Sequence, residues 1–311
     1  MQAMPRPWAG QYLAMYSSIW QGIILDPWLM VVPIDDHIVH RGDGVFEAIK
    51  CVDGNVYELD RHLMRLERSA KAIALTMPIS VADLKELCLE VIRAGGQRNC
   101  LLRIYVSRGP GSLNANPAES VASQLYLVAC TPHTPDAQKY IDGVKVGFSY
   151  APVKLDFHAQ VKSCSYLLNV LAKQDALKNG WDYPLWTSAD GVVSEGATEN
   201  FIILDKQDRL VFPDPSRMVE GITVRRAQEL AETLVKNGQI KAIEQRLVTV
   251  NDVRQAKEIM ILSTSLNVLP AAMLEGKPVG TGKPGAVARA LLQLMKDDID
   301  NGGRSVRAWA A

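Results

Sequence analysis

The chain reads as a two-domain enzyme of mixed helix and strand, α/β or α+β. Three observations lead there. Its 311 residues can bury a substantial core, and that length favours two domains. Stretches with strand character alternate with stretches of helical periodicity along the chain. Between them, residues 131–138 hold Pro132 and Pro135 without hydrophobic periodicity, which marks a linker. The expected division is a small α/β domain over residues 1–130, the linker over 131–138, and a larger domain over 139–311.

Residues 45–51 and 55–59 read as strands around Asp53-Gly54, a pair suited to a tight hairpin turn. Asp60 is the expected cap of the helix that follows. In that helix Leu63, Leu66, Ala70 and Ile73 share one face, and Met77-Pro78 ends it. A second helix is expected over 81–93, stopping at Gly95-Gly96. Residues 100–107 and 124–130 have strand character. Beyond the linker, a helix over 166–178 carries Leu167, Val170, Leu171 and Leu177. Another over 222–236 carries Leu230 and Leu234 and stops at Asn237-Gly238. Residues 258–262 form a nearly all-apolar strand, and 284–299 a last helix. The tail from Asn301 is weakly specified.

Composition narrows the function classes. Hydrophobic residues make up 48% and charged residues 22%, so a disordered chain is excluded. Formal net charge is zero, which gives no global electrostatic case for nucleic acid or an anionic membrane as partner. No apolar run is long enough to span a bilayer, and residues 1–8 do not read as a secretory signal. Cys51, Cys88, Cys100, Cys130 and Cys164 are scattered, with no C-x-x-C spacing. A disulfide framework or a structural metal site is therefore not expected, and a reducing cytoplasm is.

The residues with chemical potential lie mostly between Lys162 and Asn200. Lys162 precedes an apolar helical run that starts near Tyr166, and Glu195 lies in the Ser194-Glu195-Gly196 segment, read as a turn. A lysine amine can form a Schiff base, a carboxylate can hold a pyridinium proton, and a phenol can hydrogen-bond a ring oxygen. The three together point to pyridoxal 5′-phosphate. Taken singly, each has a bland reading: a solvated lysine, a solvated turn acid. Glu199 and Asn200 are read as structural ties. Gly221-Ile222-Thr223 opens an apolar helix, and helix N-termini expose unpaired N–H groups that suit a phosphate. Ser263-Thr264-Ser265 follows the apolar strand and offers hydroxyls, or begins a polar turn. Arg65 sits between apolar positions, where an arginine either snorkels to solvent or binds phosphate bidentately.

In their order these motifs resemble the fold-type IV pyridoxal-phosphate enzymes, the class IV aminotransferases. They run from His40-Arg41-Gly42-Asp43-Gly44-Val45-Phe46-Glu47 and His62-x-x-Arg65-Leu66 through Lys162 to Asn200. They then continue with Gly221-Ile222-Thr223 and Ser263-Thr264. The resemblance implies a small domain and a larger one with the cofactor in the cleft, and at least a homodimer. It implies Lys162 as Schiff-base lysine and proton shuttle, Glu195 at the pyridine nitrogen and Tyr166 at the ring oxygen. Arg65, Ile222, Thr223 and Thr264 would form the phosphate cup, with Ile222 acting through its backbone.

The substrate side departs from the family pattern. Arg103 matches an arginine near the substrate carboxylate in branched-chain enzymes, but the tyrosine usual two residues earlier is Leu101. The Arg-x-His trap of D-amino acid enzymes is missing from residues 110–115. Arg41 replaces a common aromatic residue. It either binds a substrate carboxylate or pairs with Asp43 or Asp36. Phe46 lines the pocket or the core, and Asn267 stands where many relatives have glutamate.

The implied activity is amino transfer between an amino acid or amine and a 2-oxo acid, with a branched-chain-like L-amino acid as the expected donor. The alternatives are a D-amino acid or R-amine transaminase, an aminodeoxychorismate lyase, and a non-catalytic cofactor-binding protein.

Overall fold

The computed structural model describes residues 6–154 and 156–309. The chain divides into two compact units. The first comprises Met1–His133, Val161–Ser165 and Gly302–Ala311; the second comprises Thr134–Gln160 and Tyr166–Asn301. The first crossing thus lies inside the expected linker, whose last two residues already belong to a helix, Ala137–Asp142. Two short segments depart from a simple division at the linker. Val161–Ser165 returns to the first unit because Ser163 bridges Val45, and the tail returns because its strand Ser305–Arg307 pairs with residues 55–57.

In the first unit the elements are β1 (Tyr12–Ser17), β2 (Gly22–Ile24), α1 (His37–His40), β3 (Gly44–Val52) and β4 (Asn55–Tyr57). They continue with α2 (Leu59–Ala72), α3 (Val81–Ala94), β5 (Cys100–Ser107) and β6 (Gln124–Cys130). The strands form one antiparallel sheet in the order C-terminal strand, β4, β3, β5, β6, β1, β2. Asp53 and Gly54 both take positive φ, 49° and 83°, as a two-residue hairpin between β3 and β4 requires. Asp60 does not cap α2: the N-cap is Glu58, in the left-handed region, and Asp60 lies in the first turn.

Alternation along the strands separates two faces. Val45 and Ile49 of β3 and Leu102, Ile104 and Val106 of β5 form a core with Leu63 and Leu66 of α2 and Leu84 and Ile92 of α3. The register pairs Phe46 with Tyr105, Ala48 with Arg103 and Lys50 with Leu101, so these residues share the opposite face.

In the second unit α4 (Ala137–Asp142) leads into β7 (Val144–Ser149), α5 (Asp156–Gln160), α6 (Leu167–Lys178) and β8 (Tyr183–Trp186). After β9 (Val192–Val193), β10 (Asn200–Leu204) and β11 (Arg209–Pro213) come α7 (Ile222–Lys236) and β12 (Ala242–Arg246). Then follow β13 (Val248–Thr249), α8 (Val250–Arg254), β14 (Glu258–Ser263), β15 (Asn267–Leu274), β16 (Lys277–Pro278) and α9 (Ala286–Asp300). The large sheet runs β12, β11, β10, β14, β15, β7, β8, with β16 on β15. Every residue of β10 is buried, which accounts for its unbroken apolar run.

The apolar residues that mark α6 in the sequence are not those it buries. Asn169, Ala172 and Ala176 face inward, whereas Leu167, Val170 and Leu177 are exposed. Small residues and one amide let the helix lie close to its neighbours. Asn169 donates to the Ala197 carbonyl at 2.6 Å. Among the described helices none is long and apolar enough to cross a membrane.

Gly147 illustrates how tightly β7 is packed. A Cβ there would stand 2.1 Å from the Trp181 indole, and its register partner on the edge strand β8 is Pro184. Gly147→Ala should destabilise the protein by about 1–3 kcal/mol through overpacking. Adding Trp181→Ala should make the double variant less destabilised than the sum of the singles, because the clash is gone. Urea unfolding of the three variants measures this; additive losses would refute the packing account.

Candidate active site

Lys162 owes its position to main-chain contacts. The Phe46 amide donates to the Lys162 carbonyl at 3.0 Å, and the Cys164 amide donates to the Gly44 carbonyl at 2.8 Å. From α2, the Ser69 hydroxyl accepts from the Lys162 amide at 3.4 Å. Glycine at 42 permits this approach, and glycine at 44 lets β3 lie against β5. A Cβ at Gly42, whose φ is +65°, would stand 3.1 Å from the Ser165 backbone, and one at Gly44 would stand 2.8 Å from the Val106 carbonyl. The half-buried Lys162 side chain ends with its Nζ 4.5 Å from the Phe46 ring centroid.

Phe46 extends this arrangement across the face of the sheet opposite the helices. Its ring stacks on Tyr105 with centroids 6.0 Å apart and planes at 21°. Arg103 lies two residues back along β5 on the same face, close enough for its charge to act on the Tyr105 phenol. Burial pushes the Tyr105 phenol up, Arg103 pulls it the other way, and the net direction is upward, so it stays protonated. Arg103 lines a cavity of about 770 Å³ with Leu101, Tyr105, Tyr126 and Cys130. The hydroxyl absent at Leu101 is thus present at Tyr105, on the same face and four residues further on. Further along this face Lys50 is buried, and burial lowers its amine to about 7.

Arg41 follows neither expected pairing. Its guanidinium is exposed and donates to the carbonyls of His40, at 2.9 Å, and Leu113. Asp43 is engaged by Arg108, and the fully buried Asp36 accepts from Ser107, from Tyr126 and from the Ile38 amide.

Arg65 does not snorkel. It is buried and donates through Nε and Nη2 to both oxygens of Glu47, at 2.6 and 2.7 Å. His62 Nδ1 lies 2.7 Å from Glu47 Oε2. Burial favours the neutral carboxyl, but the charges and hydrogen bonds of Arg65 and His62 outweigh it and hold Glu47 well below the usual carboxylate range. For His62 burial dominates: the imidazole is shifted down despite Glu47, with Arg65 and Lys162 adding to the shift. The arrangement is a carboxylate held by one guanidinium and a neutral imidazole. The site residue missed in the sequence is Glu47. Its signal was an acid on the inward side of a strand, followed by His-x-x-Arg on the next helix.

The second unit holds the remaining expected residues. Ser194 and Glu195 run extended beside Trp186, with the Trp186 amide donating to the Glu195 carbonyl at 2.7 Å, so this stretch is strand-like rather than a turn. The Glu195 side chain is half-buried. Glu199 ties the following turn by accepting from the Thr198 amide, and its own carbonyl accepts from the Gly196 amide. Asn200 donates to the Val219 carbonyl at 3.1 Å, and a Cβ on Gly221 would overlap its Oδ1. Asn200 thereby sets the loop that enters α7. That helix begins at Ile222 with Gly221 as N-cap, no side-chain capping bond and no acid in its first turn. Thr223 is buried there. Thr264 lies in the tight turn between β14 and β15, which Asn267 closes with φ 57°, a conformation that suits asparagine. Tyr166 is the N-cap of α6, with Lys154 Nζ 5.0 Å from its ring centroid.

The Glu47 cluster gives a pH signature. A carboxylate whose folded value is depressed stabilises fully above its unfolded value, about 4.3, and the contribution is lost as pH falls below that. Glu47→Gln should cost about 3 kcal/mol near neutrality by breaking the buried pair. Its stability should also fall less steeply than that of the wild type under acid. Thermal unfolding of both proteins from neutral pH into the acid range tests this; parallel slopes would contradict it.

Comparison with known proteins places these features. Residues 44–274 match the model of the amino-transferase class IV family. The chain is 37% identical over 298 residues to the chloroplastic D-amino-acid transaminase of Arabidopsis thaliana, covering 96% of this chain and 79% of that protein. In fold it superposes on the branched-chain amino acid aminotransferase of Escherichia coli with a TM-score of 0.86 and 22% identity, over 95% of this chain and 99% of that one. It also superposes on the branched-chain amino acid aminotransferase from Thermobaculum terrenum in its PLP form. There the TM-score is 0.81 and the identity 19%, over 97% of this chain and 100% of that one. From Gly44 at the head of β3 to Leu274 at the end of β15, the strands β3 to β15, the Lys162 segment and the uncapped α7 fall inside the matched region, and the chain belongs to the class IV aminotransferases.

Proposed function

We propose that this aminotransferase moves the amino group of an α-amino acid to a 2-oxo acid through pyridoxal phosphate held by Lys162. The observation that carries the reading is the placement of the Lys162 amine over Phe46, beside the Tyr105–Arg103 pair. The residues suit the cofactor. The N-terminus of α7 has no capping side chain and no acid in its first turn, so its N–H groups are open to a phosphate.

When bound, pyridoxal phosphate supplies an aldehyde for the amine and a protonated ring that draws electrons from the donor Cα. Lys162 would hold the aldehyde, and its amine would move the proton at the donor Cα. Glu195 would hold the proton of the ring nitrogen, and Tyr166 would donate to the ring oxygen. Arg65, the Ile222 amide, Thr223 and Thr264 would hold the phosphate. Arg103, beside Tyr105 on the same face of β5, binds a substrate carboxylate, and Phe46 walls the site against water. Arg41 remains a candidate for the same carboxylate.

The expected donor is an L-amino acid, on the match of Tyr166 and Arg103 to branched-chain enzymes. A D-amino acid donor is a second reading, favoured by the 37% identity to the Arabidopsis thaliana D-amino-acid transaminase. Homodimerisation is proposed as well, on the exposed Trp8, Ile23, Leu25, Trp28 and Leu29 near the start of the first unit. The free cysteines fit a reducing compartment, the cytoplasm being the one proposed.

Borohydride trapping and peptide mapping should place the cofactor on Lys162. Lys162→Ala should lower turnover ~10²–10⁴-fold while the protein stays folded. Absorbance changes in single turnovers with L-leucine, L-glutamate, D-alanine and D-glutamate should show conversion by donors of one hand and name it. Pyruvate release from aminodeoxychorismate without an oxo-acid acceptor would replace this reading with the lyase. Trapping on another lysine would end the assignment of Lys162.

A further inference from the structure

Arg108, at the exit of β5, is used by nothing in the proposed chemistry, yet it makes more charged and polar contacts than a surface arginine needs. Its Nε and Nη2 each lie 3.0 Å from one oxygen of Asp43. Nη2 also donates to the Ile73 carbonyl at 2.9 Å and Nη1 to the Ala74 carbonyl at 2.7 Å. The Arg108 amide donates to the Asp43 carbonyl at 3.0 Å, so main chain and side chain grip the same residue. Both side chains are largely buried, 15% and 23% exposed.

These contacts join two elements that share one task. Asp43 lies immediately before β3, and Ile73 and Ala74 close the C-terminal end of α2. The main chain of Lys162 is held from β3 by the Gly44 carbonyl (through Cys164) and the Phe46 amide, and from α2 by the Ser69 hydroxyl. The planar guanidinium can reach a carboxylate and two carbonyls at once, which a lysine cannot. A cation against the last carbonyls of a helix is also favourable in itself.

We propose that Arg108 is a positioning residue for Lys162: by fastening the lead into β3 to the end of α2, it sets where the Lys162 amine stands. This rests on the reading of Lys162 as the cofactor lysine. A purely structural arginine would affect stability alone. A positioning one also changes how Lys162 binds and titrates.

The test compares wild type, Arg108→Met, Arg108→Lys and Asp43→Asn, with Arg209→Met as an ion-pair control in the second unit. Cofactor affinity, the pH midpoint of the lysine-bound cofactor band, and amide exchange of the cofactor-free protein are measured. Arg108→Met should weaken pyridoxal phosphate binding about tenfold, in line with loss of one partner of a hydrogen-bonded charge pair. It should move the band midpoint and speed exchange in residues 44–46 and 161–165, leaving the second unit unchanged. Arg108→Lys should fall between Arg108→Met and wild type. Asp43→Asn carries the same expectation if Arg108→Met does not fold. Arg209→Met should match wild type in binding and midpoint. Borohydride trapping on Lys162, with affinity, midpoint and exchange all unchanged in the Arg108 and Asp43 variants, would overturn the positioning role alone. An equal shift in Arg209→Met would do the same. Trapping on a different lysine would overturn both this inference and the functional reading beneath it.

Discussion

The contact of Val161–Ser165 with the start of β3 is the constraint on which the first unit's chemistry depends. A lysine side chain has four rotatable carbons and holds no position by itself. Here its backbone is fixed by strand-like bonds to Gly44 and Phe46, and its amine rests against the Phe46 ring. Gly42 permits this approach, since a methyl there would meet the Ser165 backbone, while Gly44 permits β3 to lie against β5. β3 then serves two faces at once. Phe46 looks toward the lysine and Tyr105, and Glu47 looks into the helical layer toward His62 and Arg65.

That division explains why so costly a group as Glu47 lies fully buried. A buried ion pair is a poor source of net stability, because desolvation offsets most of the attraction. Its value lies in direction. Bidentate contact fixes the plane of the Arg65 guanidinium, and the neutral His62 occupies the carboxylate further without adding charge. A guanidinium so oriented has little freedom left to lose.

The second unit follows a different economy. Its sheet is mixed, with parallel pairs at β11–β12, β15–β7 and β7–β8, and strands such as β10 are buried on both faces. Close approach is obtained by removing side chains: Gly147 beneath Trp181, Gly221 against Asn200, and Ala172 and Ala176 on α6. The start of α7 belongs to the same pattern, with Gly221 as N-cap and no side chain capping its first N–H groups.

The sequence by itself determined the elements whose signal is local. The Asp53-Gly54 hairpin, the helices ending at Gly95-Gly96 and Asn237-Gly238, and the apolar strand at 258–262 are set by turn chemistry and periodicity within a few residues. The ordered motifs likewise pointed to the class IV family, because each names a residue type at a fixed place along the chain. Only the tertiary structure decided the rest. The Lys162 segment and the tail joined the first unit through pairings distant in sequence. On α6, close packing turned the small residues inward and left Leu167, Val170 and Leu177 exposed. Asp60 yielded the helix cap to Glu58. Arg41 went to the Leu113 carbonyl, while Arg108 took Asp43 and Glu47 took Arg65. In each case the side chain had several partners compatible with its own chemistry, and the choice among them belonged to the strand register and packing that brought one of them within reach.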